Sequence, residues 1–312
     1  MGSIAETNSG MVTIGLDPHP GTHTASALNA FGRELDEITA INEEAGWEEL
    51  MNWAHQFPER RWAIEGPNNR YARGFVERLI KSEQLLFPIT PSMTARYRSR
   101  SANGKDDDID AASAARALLA NEDLPVHHPT PYEAELKELT RGYQRIRNQI
   151  KANKMSAREQ SLAVVRDALE RANEALEDAA KKLEREMAKI VKSIAPEFLE
   201  LRGVGPIVTA TVLAEAGWIG RFKDQDHFAS YAGSAPLKWS SGAHETVRVN
   251  FKGNRRLNWA AHVVAMSRLR IEPRTQAYRD KKLAEGKTMR EVFRLLKTYI
   301  CREFYRVLRD MQ

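Results

Sequence analysis

Two acidic residues close short apolar segments, and a cluster of acids opens a helical pattern. Asp17 ends the segment "MVTIGLD" and Glu65 lies near the end of "RWAIEGP"; both segments are typical of buried strands. Four aspartates directly precede an Ala/Leu-rich helical pattern: Asp106, Asp107, Asp108 and Asp110. Because Asp107 and Asp110 are three residues apart, they share one face of that helix.

This set of acids is suited to metal-dependent chemistry. Residues at the carboxyl ends of strands gather at one edge of an α/β sheet. Two strand carboxylates and two helix carboxylates make an oxygen-only ligand set, which suits Mg²⁺ or Mn²⁺. A pair of such ions can stabilise the attacking and leaving oxygens of phosphodiester cleavage. Each acid alone also fits a turn or a helix cap, but the order strand-Asp, strand-Glu, helix Asp-x-x-Asp predicts an RNase H-like nuclease site.

The surrounding elements predict how these acids are positioned. After a disordered tail (1–10), three strands and then alternating helices and strands in residues 11–130 predict a mixed sheet with helices on its faces. Residues 131–195 carry a heptad pattern, which favours a helical hairpin or an intermolecular coiled coil. Its positions are Leu162, Leu169, Leu176, Leu183 and Ile190, with Val165, Ala172, Ala179 and Glu186 between them. Residues 196–312 are predicted to be mostly helical around a loop-rich stretch at 218–250.

Composition narrows the class of protein. The 312 residues are 42% apolar, which indicates a globular chain of about two domains. The single cysteine excludes an internal disulfide and fits a reducing cytoplasm. No apolar run approaches the ~18 residues that a membrane span needs. Residues 251–312 hold 16 Lys/Arg and 6 Asp/Glu, and this net charge of +10 favours a polyanion such as nucleic acid as partner.

The acidic motifs resemble those of a known transposase family. "IGLDPH", "AIEGP" and "KDDDIDA" look like the three acidic motifs of the bridge-RNA-guided transposases of insertion-sequence family 110. The resemblance implies a RuvC-like, Mg²⁺-dependent N-terminal domain in a bacterial, nucleoid-associated protein. Aligned on Lys105 and Ala111, it also implies that Asp106 and Asp108 occupy variable positions. The metal-binding and catalytic acids that it implies are Asp17, Glu65, Asp107 and Asp110.

The second half of the chain resembles the same family's C-terminal domain. The matching segments are "LRGVGPIVTATVLAEAG", "YAGSAP", "SSG" and "FKGNRRL". The resemblance places the family's nucleophilic serine on Ser241, with Ser240 as the fallback; His244 is nearby but is not an established partner. It implies that DNA strands are cleaved and exchanged through a phosphoserine link. It further implies a site shared between subunits of a homodimer or homotetramer.

Several residues are candidates for binding nucleic acid. The Gly-Val-Gly turn looks like a helix-hairpin-helix, whose backbone amides can hold a DNA phosphate. That the partner includes a structured non-coding guide RNA, besides DNA, is implied by the resemblance alone. The candidate residues are Arg96, Arg98, Arg100, Lys105, Gly203, Gly205, Lys252, Asn254, Arg255 and Arg256.

Three other functions compete with this interpretation. A RuvC-like junction resolvase or nuclease would need the four acids but not Ser241. An actin-like ATPase also has an "IGLD" strand, but it needs a flexible Gly-rich turn where this chain has "PHPGTH". A non-catalytic coiled-coil protein that binds nucleic acid would need neither the four acids nor Ser241.

Overall fold

The structure is a computed structural model that describes most of the chain. The described residues are 10–67, 69–97, 107–121, 123–235, 237–241, 244–248 and 253–311. Only the backbone is described at residues 92, 107–109, 237–241 and 244–248. The contacts divide the chain into two compact units, residues 1–128 and 129–312.

The first unit is built on a five-stranded mixed sheet in the order β3-β2-β1-β4-β5. Its first three strands form an antiparallel meander, and β4 and β5 run parallel to β1. This strand order confirms the predicted RNase H-like class. The strands are β1 (Val12–Pro18), β2 (Thr22–Leu28), β3 (Glu34–Ile41), β4 (Arg60–Glu65) and β5 (Leu86–Ile89).

Helices cover both faces of this sheet. On one face, Ile14 and Leu16 of β1 join Trp62 of β4 in a buried apolar cluster with α1 (Glu44–Ala54) and α2 (Arg73–Lys81). The other face packs against α4 (Asp107–Leu119), whose small side chains, such as Ala114, are buried against Ala63 of β4. A short helix α3 (Pro91–Thr94) lies between β5 and α4 in the chain.

The second unit is mostly helical. At its centre, α8 (Pro206–Ala216) has every residue from Val208 to Ala214 buried, as expected of a helix that is apolar on all sides. The other helices are α5 (Glu133–Glu159), α6 (Ala163–Ile194), α7 (Pro196–Glu200), α9 (Gln225–Tyr231), α10 (Arg255–Ile271), α11 (Pro273–Ala284) and α12 (Met289–Asp310). The remaining strands, β6 (Leu237–Ser241) and β7 (His244–Arg248), form a two-stranded hairpin. Within the described residues, no helix is both long and apolar enough to span a membrane.

Helices α5 and α6 form an intramolecular hairpin, and its seam differs from the predicted one. The leucines of the predicted heptad are half-buried or exposed, and Glu186 faces solvent. The buried line of α6 instead runs through Asn173, Ala180 and Met187, four residues after Leu169, Leu176 and Leu183. The prediction placed the second seam position three residues after each leucine. Because heptad seams alternate spacings of three and four, the spacing alone did not decide between these two lines.

A pair of asparagines lies inside this seam. The Asn153 amide donates to Asn173 Oδ1 at 3.1 Å, and both side chains are buried. Replacing Asn173 alone by leucine is expected to destabilise the protein by about 1–3 kcal/mol, because Asn153 is left with an unsatisfied buried donor. The double substitution Asn153→Leu/Asn173→Leu should recover most of this loss. Denaturant unfolding of the wild type, Asn153→Leu, Asn173→Leu and the double variant measures the coupling, and additive losses would contradict it.

Candidate active site

Three carboxyl groups lie on the α4 face of the sheet. Asp17 follows Leu16 on β1, and Glu65 follows Ile64 on the neighbouring parallel strand; Leu16 and Ile64 are paired in register. Because side chains alternate along a strand, Asp17 and Glu65 point away from the apolar cluster that holds Leu16 and Ile64. Asp110, on α4, is buried. Ala111, the next residue of α4, lies against Gly15, two residues before Asp17 on β1.

Glycine at position 15 allows α4 to approach the sheet this closely. Gly15 is two residues before Asp17 and therefore lies on the same face of β1. A Cβ at Gly15 would lie 1.9 Å from the carbonyl oxygen of Ala111 and 2.8 Å from the amide nitrogen of Ala115. The strand and the helix backbone are thus in direct contact beside Asp110.

Two neighbouring side chains orient the strand carboxyls. Asp17 Oδ2 lies 3.0 Å from His19 Nε2, and the Thr94 hydroxyl donates to Glu65 Oε2 at 2.6 Å. Sequence reasoning missed both residues. His19 belongs to both the motif "IGLDPH" and the turn "PHPGTH", but neither pattern predicts a bond from His19 to Asp17. Thr94 is the last residue of α3, and it reaches Glu65 because of where α3 lies. No local sequence pattern predicts that placement.

The three carboxyl groups interact electrostatically. Burial raises the pKa of Asp17 above its ordinary value, and His19 partly offsets this shift. The negative charges of Asp110 and Glu65 raise the pKa of Asp17 further. Like-charged groups held together in a folded protein are typical of a functional site.

The donor chemistry of these residues fits a hard divalent cation. Carboxylate oxygens are the ligands that Mg²⁺ and Mn²⁺ prefer, and a bound cation would relieve the repulsion around Asp17. Among the side chains that the structure describes, no three Asp, Glu, His or Cys groups converge closely enough to hold a metal ion by themselves. Asp107 is the first residue of α4, one turn before Asp110, and its side chain lies outside the described part.

The predicted serine block contains a β-hairpin rather than only loops. Ser241 is the last residue of β6 and pairs with His244, the first residue of β7, while Ser240 pairs with Glu245. The side chains of these four residues are outside the described part of the chain. The loop prediction followed from the Ser and Gly residues of "WSSG", but Ser240 and Ser241 lie in β6.

The glycine turn before α8 has the features expected of a helix entry. Gly203 has φ +76, a conformation that favours glycine, and Gly205 is the residue before the first turn of α8. A Cβ at Gly205 would meet no described atom within 4 Å, so the backbone here is open. Arg268 donates to the carbonyl of Arg202 and to Glu303, which ties the turn to α10 and α12.

The candidate side chains for binding nucleic acid have different environments. Asn254 caps α10 through its side-chain oxygen, and its amide donates to Glu215 at 2.8 Å, so its side chain is engaged within the protein. Arg256 lies 3.5 Å from the same Glu215. Arg255 and Arg96 are exposed. The other basic candidates lie outside the described residues: Arg98, Arg100, Lys105 and Lys252.

The thiol of Cys301 is poorly suited to act as a nucleophile. It is buried in α12, and burial raises its pKa to about 11. The thiolate is therefore scarce at neutral pH, and thiolate is the reactive form.

The mixed sheet, with acids at the ends of two adjacent strands and on the helix packed against them, defines an RNase H-like domain of the RuvC type. A DEDD transposase model of IS110, described as "Transposase", matches residues 14–162. A second model, described as "Transposase IS116/IS110/IS902 family", matches residues 195–280. The chain belongs to this IS110 family of transposases.

Two curated proteins of Streptomyces coelicolor are similar to parts of the chain. The IS110 insertion element protein of 43.6 kDa, named as uncharacterized, is 30% identical over 118 residues, which are 38% of this chain and 29% of that protein. A protein of the mini-circle element IS117, named as a candidate transposase, is 37% identical over 90 residues, which are 28% of this chain and 22% of that protein. The chain thus aligns with less than a third of each relative.

Solved structures of RuvC from Thermus thermophilus also resemble part of the chain. RuvC in complex with a Holliday junction substrate matches with a TM-score of 0.31 and 12% identity, covering 38% of this chain and 99% of RuvC. A second structure of RuvC from the same organism gives a TM-score of 0.30 and 11% identity, covering 38% of this chain and all of RuvC. Scores at this level do not establish a shared fold. The fold class here is based on the strand order and the family match.

Proposed function

We propose that this protein is a transposase that cleaves and exchanges DNA strands at the ends of an insertion element, with an acidic site in the first unit and a nucleophilic serine in the second. The observation that carries the proposal is the group of carboxyls of Asp17, Glu65 and Asp110 on the α4 face, where burial and the charges of Asp110 and Glu65 raise the pKa of Asp17. Family membership supports the same function.

In this proposal, Mg²⁺ or Mn²⁺ is held by four acids: Asp17, Glu65, Asp107 and Asp110. The bound cation would polarise the scissile phosphate and offset the charge that develops on it. His19 and Thr94 orient the carboxyls of Asp17 and Glu65 through the hydrogen bonds described above. Such bonds fix the direction of the ligand oxygens before substrate arrives.

The serine step conserves the energy of the phosphodiester bond. Ser241 Oγ attacks the scissile phosphorus, a new P–O bond forms to the serine, and the bond to the leaving DNA hydroxyl breaks. The proton of the serine hydroxyl is released, and the leaving oxygen takes up a proton. A hydroxyl of a second DNA strand then attacks the phosphoserine and releases the serine, so that strands are exchanged without hydrolysis.

The proposed partners are DNA and a structured guide RNA. DNA binding is supported by the basic C-terminal region and by the exposed Arg96 and Arg255. The proposed contacts include the backbone of Gly203 and Gly205 and, separately, the side chain of Arg256 in the first turn of α10. Asn254 is better explained as a helix cap than as a nucleic-acid ligand, since its amide is engaged. Guide RNA and a homodimeric or homotetrameric assembly are supported by family resemblance alone.

A cleavage assay with labelled element-end DNA, Mg²⁺ and the element's own non-coding RNA tests the serine step. The wild-type protein should form a covalent protein–DNA adduct. Ser241→Ala should abolish the adduct, because the nucleophilic oxygen is removed, whereas Ser240→Ala should retain it. Denaturing gel electrophoresis detects the adduct as a shifted labelled band.

The matched serine pair also separates the competing mechanisms. Adduct formation that depends on Ser240 instead would show that the nucleophile is Ser240 rather than Ser241. Adduct-free hydrolysis in the wild type and both variants would refute the serine step and favour a RuvC-like nuclease.

A further inference from the structure

The turn that leads into the serine-bearing hairpin is held by hydrogen bonds to each of its backbone carbonyls. We call residues 231–234, which run from the last residue of α9 towards the hairpin, the 231–234 turn. Its four consecutive backbone carbonyls each accept a hydrogen bond from α12, α10 or the residue that caps α10. The donors are Asn254 N to Tyr231 O at 2.6 Å, Asn258 Nδ2 to Ala232 O at 3.2 Å and to Gly233 O at 2.9 Å, and Thr298 Oγ1 to Ser234 O at 2.7 Å.

Asn258 is central to this arrangement because it binds two carbonyls at once. An amide group carries two N–H donors, and both are used on the 231–234 turn. Its oxygen accepts from Lys297 Nζ at 2.9 Å. A lysine ammonium has donors only, so it selects the oxygen side of the amide and leaves the N–H groups facing the turn.

Lys297 is well suited to fix this orientation. Its side chain is half-buried, and burial lowers the pKa of its ammonium group. A hydrogen bond from a partly desolvated charge is stronger than one between neutral groups. Lys297 therefore holds the Asn258 amide in one of its two possible orientations.

The chain that follows the hairpin returns to the 231–234 turn at Gly253. A Cβ at Gly253 would lie 2.3 Å from Gly233 Cα, so the backbones before and after the hairpin are in direct contact. The bond from Asn254 N to Tyr231 O joins them beside this contact. The described chain before the hairpin, at Gly233, and after it, at Gly253, thus meets on the 231–234 turn that Asn258 binds.

We propose that Asn258 and Lys297 are positioning residues that hold the β6–β7 hairpin, and with it Ser241, in place for attack on DNA. The proposal rests on the proposed function for its catalytic consequence only. Both residues act through the 231–234 turn. The effect on the hairpin itself is measurable without DNA.

Hydrogen exchange of the full-length protein tests the positioning directly. Asn258→Asp keeps the shape of the side chain but removes both N–H donors and sets a carboxylate against two carbonyls. Amides of residues 237–248 should then exchange at least about tenfold faster, while those of α8 keep their wild-type rates. Lys297→Met should act in the same direction with a smaller effect. Asn173→Asp, which changes a buried amide in the α5–α6 seam, is the matched control and should leave residues 237–248 unchanged.

The adduct assay links this result to catalysis. Asn258→Asp should lower the rate of Ser241–DNA adduct formation at least about tenfold, with DNA affinity within about threefold of wild type. Unchanged exchange of residues 237–248 would overturn the positioning role, and so would faster exchange spread equally over α8. Faster exchange confined to the hairpin, in a protein whose wild type forms no adduct, would uphold the positioning role and refute the proposed serine step instead.

Discussion

Asp110→Asn is expected to abolish DNA cleavage and, at the same time, to raise the melting temperature of the metal-free protein. Cleavage should fall at least about a hundredfold, because the substitution removes a charged ligand oxygen from the proposed metal site. The buried charge of Asp110 also repels Asp17, and removing that charge relieves the repulsion. The melting temperature with EDTA should rise by about 1–2 °C, which corresponds to ~1 kcal/mol for a protein of this size.

The sign of the stability change follows from proton linkage. Burial holds the pKa of Asp17 in the folded state above the ordinary value that it has in the unfolded chain. At pH values between the unfolded-state and folded-state pKa of Asp17, the folded state therefore binds more protons than the unfolded state. The metal-free protein loses stability as the pH rises through this interval. Without the charge of Asp110, this loss is smaller at neutral pH. Conversely, Mg²⁺ should stabilise the wild type and have little effect on Asp110→Asn.

Neighbouring aspartates provide the controls. Asp107→Asn should lose cleavage as Asp110→Asn does, because the two are one turn apart on α4. Asp106→Asn and Asp108→Asn should retain cleavage within about threefold, since a helix-cap or first-turn charge is worth ~1 kcal/mol or less. Equal losses at all four positions would contradict the proposed register. A lower melting temperature for Asp110→Asn would show that repulsion is not the dominant interaction there.

The strand acids and the mixed sheet could be predicted from sequence because their signals are local. Apolar runs ending in Asp17 and Glu65 predict strands, and the alternation of strands and helices predicts the layers. The hydrogen bonds of His19 and Thr94 could not be predicted, since each depends on where a turn or a short helix comes to lie. The prediction of the α5–α6 seam was off by one residue at its second position. That position is occupied by Asn173 and Ala180, which carry a weak hydrophobic signal.

The 231–234 turn shows the same limit for the second unit. Its supporting residues, Asn258 and Lys297, lie on two helices that are distant in sequence. A sequence pattern reports which face of a helix is apolar, but it does not report which backbone carbonyls that helix will meet. In the first unit, Gly15 belongs to the strand pattern that ends in Asp17, and it is also the residue against which the backbone of α4 packs.

Gly15→Ala is expected to abolish cleavage without removing any proposed ligand. The added methyl would lie 1.9 Å from the Ala111 carbonyl oxygen, 2.8 Å from the Ala115 amide nitrogen and 2.9 Å from the Ala111 carbonyl carbon. These are backbone atoms of α4, which cannot rotate away as the end of a side chain can. The helix must therefore move outward by about an ångström, and a misplacement of that size costs ~10²-fold in rate.

Gly21→Ala is the matched control for this substitution. Gly21 lies in the turn between β1 and β2, and a Cβ there would meet no described atom within 4 Å. Its cleavage and stability should match wild type, whereas Gly15→Ala should lose about 1–3 kcal/mol of stability and so remain folded at assay temperature. Circular dichroism and cleavage rates, measured well below both melting temperatures, separate a displaced helix from an unfolded protein.

A second substitution in Gly15→Ala tests whether the helix backbone is the obstacle. Gly15→Ala/Ala111→Gly removes the Ala111 side chain but leaves its carbonyl oxygen in place, so cleavage should not return. Recovery in the double variant would show that side-chain crowding, rather than the strand-to-helix backbone contact, sets the position of Asp110. Full activity of Gly15→Ala alone would contradict the close approach of α4 as the device that brings Asp110 to Asp17, because that approach leaves no room for a methyl group.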